Sequence, residues 1–379
     1  MFHLVCINLG FSYLKSQTTP SLSVSSISSI NMSCCGNDCN GVQTKISAVI
    51  LDLDGTLLNT EVLTKDIVKV FLAKYGKVVD WEKEDCRLGM MYNESVTSII
   101  KDYELPLTPD EYSKQITPLY HQMWPKAKPL PGANRLIKHL HKKGIPFALA
   151  SNSITKNIEA KISRQQGWKE SFSAILGSDQ VDHGKPAPDI FLEAAKRMGV
   201  DAASCLVIED SLVGVMAAKA AGMKVVAVPS LQAHVDRYVI ADLVLHSLLE
   251  FQPEHWGLPV FEDWMENALI IEPLYAKGQM CEGPFYADAD DPNVLPDQIS
   301  GVFFGWAKLD RHGVSKVVVS IEWQHDSCAM KRIIQMYMLT TPLHLAGRMA
   351  CISGDYFIEF QQFLPLLKAT GKELTTPHP

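Results

Sequence analysis

Between Lys45 and about residue 250 the chain repeats one unit: a short apolar run that stops at an acid, serine or glycine, then an amphipathic stretch. The runs are SAVILDLDGT (47–56), IPFALASNS (145–153), SAILGSD (173–179), CLVIEDS (205–211) and MKVVAVPS (223–230). β-Branched runs without polar alternation are expected as strands buried on both faces. Between them lie helical patterns, ANRLIKHLHKKG (133–144), KNIEAKISRQQG (156–167), PDIFLEAAKRMG (188–199) and GVMAAKAAG (214–222). Each of these places Lys or Arg within three residues of a closing Gly, the usual end of a helix. Strands alternating with helices predict an α/β fold, a doubly wound parallel sheet with its ligand crevice at the strand C-terminal ends.

One interval interrupts that rhythm. Residues 60–129 carry helical patterns (VLTKDIVKVFLAKYG, NESVTSIIKDY, PDEYSKQITPLYHQMW) and no convincing strand. A helical insertion after the first strand would sit over the crevice as a cap, excluding water and reading the substrate. A second region starts near Pro253, where SGVFFGWAKL (300–309) and SKVVVSIEW (315–323) read as a hairpin of an all-β module. The segment from Pro273 to Ile299 reads as loop, and the last 55 residues have no clean period. The expected organisation is therefore a Ser-rich tail over 1–44, an α/β unit over 45–250 with core 45–59 and 130–250 and cap 60–129, a linker over 251–298, and a partial β region over 299–379.

Composition narrows the function. The chain has 379 residues, 47% hydrophobic and 20% charged, which is globular. Its 35 basic against 42 acidic residues give −7 and no basic surface for nucleic acid. Nine cysteines without regular spacing suit a reducing compartment rather than a disulfide framework. No run of about 18 apolar residues spans a membrane. Residues 1–44 are rich in Ser and Thr and hold no acid before Asp38, a trait of organelle transit peptides, but Lys15 is their lone Lys or Arg. A cytoplasmic protein is expected, with plastid import as the alternative, and translation from Met1 or Met32.

The strand ends carry the chemistry. In Asp52-Leu53-Asp54-Gly55-Thr56, alternation along an extended chain points both carboxylates to one side. A carboxylate attacks phosphorus once a metal screens the repulsion between anions, and a second can move the proton. Gly55 allows a sharp backbone turn beside a phosphate, with Thr56 next to it. Ser151 follows the second strand with Asn152 beside it, offering a hydroxyl to a phosphoryl oxygen. Lys185, in GKPAPD (184–189), supplies a point charge, and Glu209 and Asp210 are hard oxygen ligands suited to Mg²⁺. Taken singly these are a turn, a helix cap, a surface lysine and an acidic helix start. Their order, and their repeated place after strands, favour one site for a small phosphomonoester. Arg87, Gly89, Met91 and Asn93 in the cap are candidate substrate contacts, or else an ordinary surface turn.

DLDGTLLNTE (52–61), ASNS (150–153), GKPAPDIF (184–191) and VIEDSLVGVMAAKAAGM (207–223) resemble, in sequence and order, the four motifs of the haloacid dehalogenase-like (HAD-like) hydrolase superfamily. The resemblance implies that Asp52 is phosphorylated in turnover, that Asp54 is the acid/base, and that Ser151 and Lys185 hold the phosphoryl group. It also implies Mg²⁺ on Asp52, the Asp54 carbonyl, Asp210 and Glu209, and an α-helical cap. Aspartate at both positions of the first motif implies a phosphatase rather than a dehalogenase.

A narrower resemblance reaches further. LPGANRLIKHL, SNSITKNIEAKIS, GWKESFSAILGSD, HWGLPVFEDWMENALIIEP and SGVFFGWAKL are similar to the plant bifunctional FMN hydrolase/riboflavin kinase family, in which one domain dephosphorylates FMN and a small β-barrel rebuilds it with ATP. That family carries a Gly/Arg/Lys-rich phosphate loop and a Pro-Thr-Ala-Asn motif where this chain has AKGQMCEGPFYADADDPNVLPDQ (276–298). Acid in place of a basic anion cradle repels ATP. The kinase base expected after Trp323 is also missing, since no acid stands between Asp326 and Asp355. The expectation is an FMN phosphatase with a partial kinase-like barrel; a bifunctional enzyme and a sugar-phosphate phosphatase are the alternatives. The sequence sets no oligomeric state.

Overall fold

The structure is a computed structural model, and it describes residues 45–87, 90–265, 268–280, 284–287, 295–309, 314–326, 329–339 and 354–364. The Ser-rich tail, the cysteines at 34, 35 and 39, and Gly89 lie outside the described residues.

The five expected strands form, as β1 (Ala48–Leu51), β2 (Phe147–Ala150), β3 (Ala174–Leu176), β4 (Cys205–Glu209) and β5 (Lys224–Ala227), and a short β6 (Leu243–Val244) adds an edge. They make a parallel sheet in the order β3-β2-β1-β4-β5-β6. β1 is the central rail: Val49 pairs with Phe147 on one side and Leu206 on the other. The order reverses direction between β1 and β4, and there the loops splay apart and leave a crevice.

The absence of polar alternation in β1 has a simple cause, because both faces are covered. Val49, Leu51, Phe147 and Leu149 pack with Leu136, Ile137 and Leu140 of α5 (Ala133–Lys142). Ala48, Ile50, Ala148 and Ala150 face Ile190, Phe191 and Ala194 of α8 (Asp189–Met198) and Val215 and Ala218 of α9 (Leu212–Ala220). α6 (Thr155–Ile162) and α7 (Trp168–Ser171) complete the layer over the first face, through Ile158, Ile162 and Trp168.

The cap is helical as expected: α1 (Thr60–Ala73), a short α2 (Trp81–Asp85), α3 (Tyr92–Asp102) and α4 (Pro109–Met123). Its core is its own, with Phe71 of α1 edge-on to Tyr112 of α4 at 4.9 Å. α4 starts on a capping box in which Thr108 and Glu111 satisfy each other's backbone N–H groups, with Pro109 in the first turn.

The C-terminal sheet is larger than the hairpin read from the sequence. β10 (Gly301–Leu309) and β11 (Val314–Asp326) are that hairpin, and β7 (Trp264–Met265), β8 (Ala268–Met280), β9 (Pro284–Ala287), β12 (Ala329–Leu339) and β13 (Gly354–Leu364) join it. The antiparallel order is β13-β10-β11-β12-β9-β8-β7, and β8 also pairs with β13, so the ladder returns on itself in barrel fashion. The loop reading of 273–299 is thereby corrected, since β8 and β9 occupy much of it, and the sheet begins at Trp264, inside the expected linker. β8 pairs with β13, from Leu269↔Phe363 to Met280↔Gly354, a partner distant in sequence that local periodicity does not reveal. The start of the linker connects without sheet structure: Phe251 and Leu258 insert into the first core, and Arg135 holds Asp263 through two 2.8 Å hydrogen bonds.

No helix among the described residues is long and apolar enough to cross a membrane. Phe147 is 1% exposed and packs on Phe172 at 5.0 Å. Phe147→Ala is expected to cost about 3–5 kcal/mol in urea unfolding, the range for truncating a buried phenylalanine.

Candidate active site

Asp52, Ser151, Glu209 and Asp210 stand where strands of the parallel sheet end, and Lys185 stands in the loop between β3 and α8. The Asp52 N–H donates to the Ile208 carbonyl (3.0 Å), extending the β1–β4 ladder by one residue, and the Ser151 N–H donates to Leu176 (3.1 Å). Asp52, Ser151, Lys185, Glu209 and Asp210 are all buried. Lys185 is the hub: its Nζ donates to Asp52 Oδ1 and to Glu209 Oε1, both at 2.6 Å. Asn152 fixes the Lys185 backbone, accepting from its N–H (2.8 Å) and donating to its carbonyl (3.2 Å).

Glu209 accepts from the N–H (2.6 Å) and hydroxyl (2.9 Å) of Ser211, which caps α9. A side chain at Gly214 would put its Cβ 1.7 Å from Glu209 Oε1, so only glycine lets α9 come this close. Asp210 Oδ1 accepts from the Thr56 hydroxyl (3.2 Å), and the Asp210 carbonyl accepts from Tyr238 (2.6 Å). Gly55 turns with φ +79°, and a Cβ there would lie 2.1 Å from Asp210 Oδ2. The backbone of the first motif and the fourth-strand carboxylate thus fit against each other without room for a side chain.

Asp54 points to a different set of partners. It accepts from Thr60 Oγ1 (2.7 Å), Ser153 Oγ (3.0 Å) and Ser151 Oγ (3.3 Å), and both its oxygens are held by Lys161 Nζ at 2.7 and 2.8 Å. Thr60, Ser153 and Lys161 were not singled out in the sequence. Lys161 had a signal, because it stands between Ile158 and Ile162 on the buried face of α6, where a lysine needs a partner.

The electrostatics follow from burial. Desolvation pushes the Asp52 carboxyl up to about 7 despite Lys185, and Glu209 and Asp54 push the same way. Asp210 is raised well above the usual range by burial and by Glu209, Glu61 and Asp52. Glu61, at the start of α1, is raised to about 7 by burial, against the pull of Lys65. Burial would lower Lys185, but Asp52 and Glu209 hold it above its ordinary value. Burial would also raise Asp54, yet Lys161, with hydrogen bonds from Thr60 and Ser153, keeps it below its usual range.

Asp52, Glu209 and Asp210 place carboxylate oxygens within 4.8 Å of one another. Three hard oxygen donors with more negative charge than Lys185 offsets are the donor chemistry that a divalent cation requires. The residues present fit such an ion.

A cavity of about 460 Å³ joins these groups to the cap. Its floor is charged, and its roof includes Val68, Val96, Ile99, Tyr112, Tyr120 and Trp124. Met91 and Asn93 line it. Arg87 also lines it but is no surface turn: it is buried, and its guanidinium is engaged by Glu84 (2.5 Å), Ser98 (3.1 Å) and Asp102 within the cap.

Residues 46–222 match the family model "haloacid dehalogenase-like hydrolase". The chain is 47% identical over 312 residues to the "Bifunctional riboflavin kinase/FMN phosphatase" of Arabidopsis thaliana, covering 79% of this chain and 82% of that protein. This chain belongs to the HAD-like hydrolase family. It is 37% identical over 228 residues to "(DL)-glycerol-3-phosphatase 2" of Arabidopsis thaliana, covering 58% of this chain and 94% of that one. A crystal structure of "HAD hydrolase, family IA, variant 3" from Entamoeba histolytica superposes with a TM-score of 0.50 at 26% identity, over 56% of this chain and 97% of its own. The HAD-like unit makes the chain a phosphoric monoester hydrolase.

The raised carboxyls set a pH signature. Asp52 and Glu61 move from ordinary values of 3.8 and 4.5 to about 7, so the fold retains protons that the unfolded chain has released between those limits. Their contribution is present below the ordinary values and lost as pH rises through about 7. Without divalent cations the thermal midpoint should therefore fall from about pH 5 to about pH 8. Mg²⁺ should raise it more at the higher pH. Calorimetry in EDTA and in Mg²⁺ tests this; an equal Mg²⁺ effect at both pH values counts against the carboxylates as its ligands.

Proposed function

We propose that the chain is a Mg²⁺-dependent phosphatase of small phosphomonoesters, FMN foremost, working through a phospho-Asp52 intermediate. The observation that carries this reading is Lys185 seated between Asp52 and Glu209 at the floor of a cavity that Asp54 also lines. Asp52, Glu209 and Asp210, with the Asp54 carbonyl that the family resemblance implies, would hold the Mg²⁺. Bound there, the ion supplies positive charge that keeps Asp52 ionised and screens the phosphate.

The protein's own groups account for the rest. An Asp52 carboxylate oxygen forms the new P–O bond as the ester P–O bond breaks, and Asp54 delivers a proton to the departing alkoxide. Water then attacks the phospho-aspartate, Asp54 takes its proton, and phosphate leaves with Asp52 restored. Ser151 and Lys185 hold the phosphoryl oxygens throughout. At rest Lys161 keeps Asp54 ionised, which is the form the second step uses. The first step needs the protonated form, which an incoming phosphate anion favours by raising the carboxyl again.

FMN is favoured over smaller esters by two observations. The FMN phosphatase of Arabidopsis thaliana is similar over most of both chains. The cavity also pairs a charged floor with an aromatic and aliphatic roof, suited to a ligand with a phosphate at one end and a flat apolar body. Phosphate release should be fastest from FMN in a panel that includes glycerol and sugar phosphates. It should need Mg²⁺ and vanish in Asp52→Asn. Undiminished turnover by Asp52→Asn removes the mechanism, and a higher kcat/KM for a sugar phosphate removes FMN. A second reading, an added riboflavin kinase, has the name of that relative and the returning ladder of the β region in its favour. The acidic 276–298 segment speaks against it, and ATP-dependent formation of FMN from riboflavin is its test.

Lys161 gives a separate handle on Asp54. Lys161→Met should raise the Asp54 pKa, so the base form is lost at a higher pH as acidity increases. The acid limb of the kcat profile, which includes the dephosphorylation step that uses the base, should move upward, and a profile that stays in place excludes Asp54 from proton transfer.

A further inference from the structure

The β region reaches into the site at one point. Gln298 lies in the segment between β9 and β10, is 5% exposed, and its Nε2 donates to the Gly55 carbonyl at 2.5 Å. Only the amide NH₂ of a glutamine can face a carbonyl, so its orientation is set by the contact.

The segment that presents it is fixed from several sides. Arg332 of β12 donates to the carbonyls of Leu295 and Pro296, both at 2.9 Å, and Trp323 of β11 donates to the Asp297 carbonyl at 3.1 Å. Leu295 and Ile299 are buried in the β-region core. On the other side, the Gly55 N–H donates to the Leu58 carbonyl at 2.9 Å. Gly55 is thus tied at its N–H by its own loop and at its carbonyl by Gln298, with the Asp210 carboxylate against its Cα. A glycine at positive φ explores more backbone space than any other residue, and this one stands directly after Asp54.

We propose that Gln298 is a positioning residue of the phosphatase site, through which the C-terminal β region holds the Asp52–Thr56 loop in its reactive geometry. The phosphatase unit alone lacks this tie. The β region therefore serves the hydrolase whether or not it has a reaction of its own. The inference rests on the reading of Asp52 and Asp54 as the reacting carboxylates.

The test is carried out on the full chain with FMN and Mg²⁺, or with para-nitrophenyl phosphate if FMN is not turned over. Gln298→Met keeps the length of the side chain and loses the donor. Gln298→Glu keeps the shape and presents an acceptor to the Gly55 carbonyl. Both should lower kcat about tenfold or more, as small displacements of reacting groups do, with KM near its wild-type value. The thermal midpoint should stay near that of the wild type. Ser300→Ala, which removes a 3.4 Å contact to Glu250 in the same segment, serves as the control and should retain wild-type kcat. Wild-type kcat in both Gln298 variants overturns the inference, as does a kcat that falls only in step with the thermal midpoint. A wild-type chain that hydrolyses neither ester sinks the underlying reading of the site itself.

Discussion

Charge burial at the end of β1 governs this molecule. Asp52, Glu209 and Asp210 are all nearly inaccessible to water, and removing each carboxylate from water costs several kcal/mol unless something replaces the solvent. Lys185 replaces part of it and is itself buried, so its ammonium depends on the acids as much as they depend on it. One cation cannot balance three anions. The remainder is met by proton uptake, seen in the raised Asp52 and Asp210 carboxyls, or by a divalent ion. A site that must choose between protons and a metal is poised to couple metal binding to the ionisation of Asp52.

The strand order makes such a cluster possible. β1 lies between β2 and β4, so the residues just past their ends converge without any long loop having to reach across the sheet. The apolar strands are pinned on both faces, and their register fixes the height at which each carboxylate emerges. Glycine then closes the gaps: Gly55 and Gly214 bring backbone against carboxylates at distances that a methyl group would forbid. Rigid scaffolding below and close approach above hold the acids together against their repulsion.

The same structure explains what could be read from the chain and what could not. Asp52, Ser151, Glu209 and Asp210 were legible because each stands at the end of a buried strand, and strand ends are marked locally by a change from apolar to polar, whereas Lys185 was legible from its place in GKPAPD. The helices of the cap were legible for the same reason, through their period. Lys161 carried only a faint mark, a lone cation on a helix face that is otherwise apolar. Arg87 was misjudged as a possible surface turn because its partners Ser98 and Asp102 belong to the next helix, and nothing near residue 87 announces them. β8 was hidden more deeply: its ladder with β13 depends on register over more than seventy residues of chain, a pairing with no local signature. Gln298 belongs to that class, since its partner lies 243 positions away.

On the proposed reading, discrimination among substrates falls to the roof of the cavity, because most of the floor's polar groups are already paired. Lys185 gives two of its three N–H donors to carboxylates, and Asp54 is held by Lys161 and three hydroxyls, so the floor has few donors left for a ligand. Arg87, the cap's most obvious anion receptor, spends its guanidinium on Glu84, Ser98 and Asp102 and serves to lock α2 to α3. What the cap offers a ligand is instead aromatic and aliphatic surface from Val96, Tyr112, Tyr120 and Trp124. Apolar surface discriminates by size and flatness, and a single added or missing methylene changes binding by only about 1–3 kcal/mol. Selectivity of that kind is graded: on the proposed reading it would rank a large planar ester above a small hydrophilic one without rejecting either.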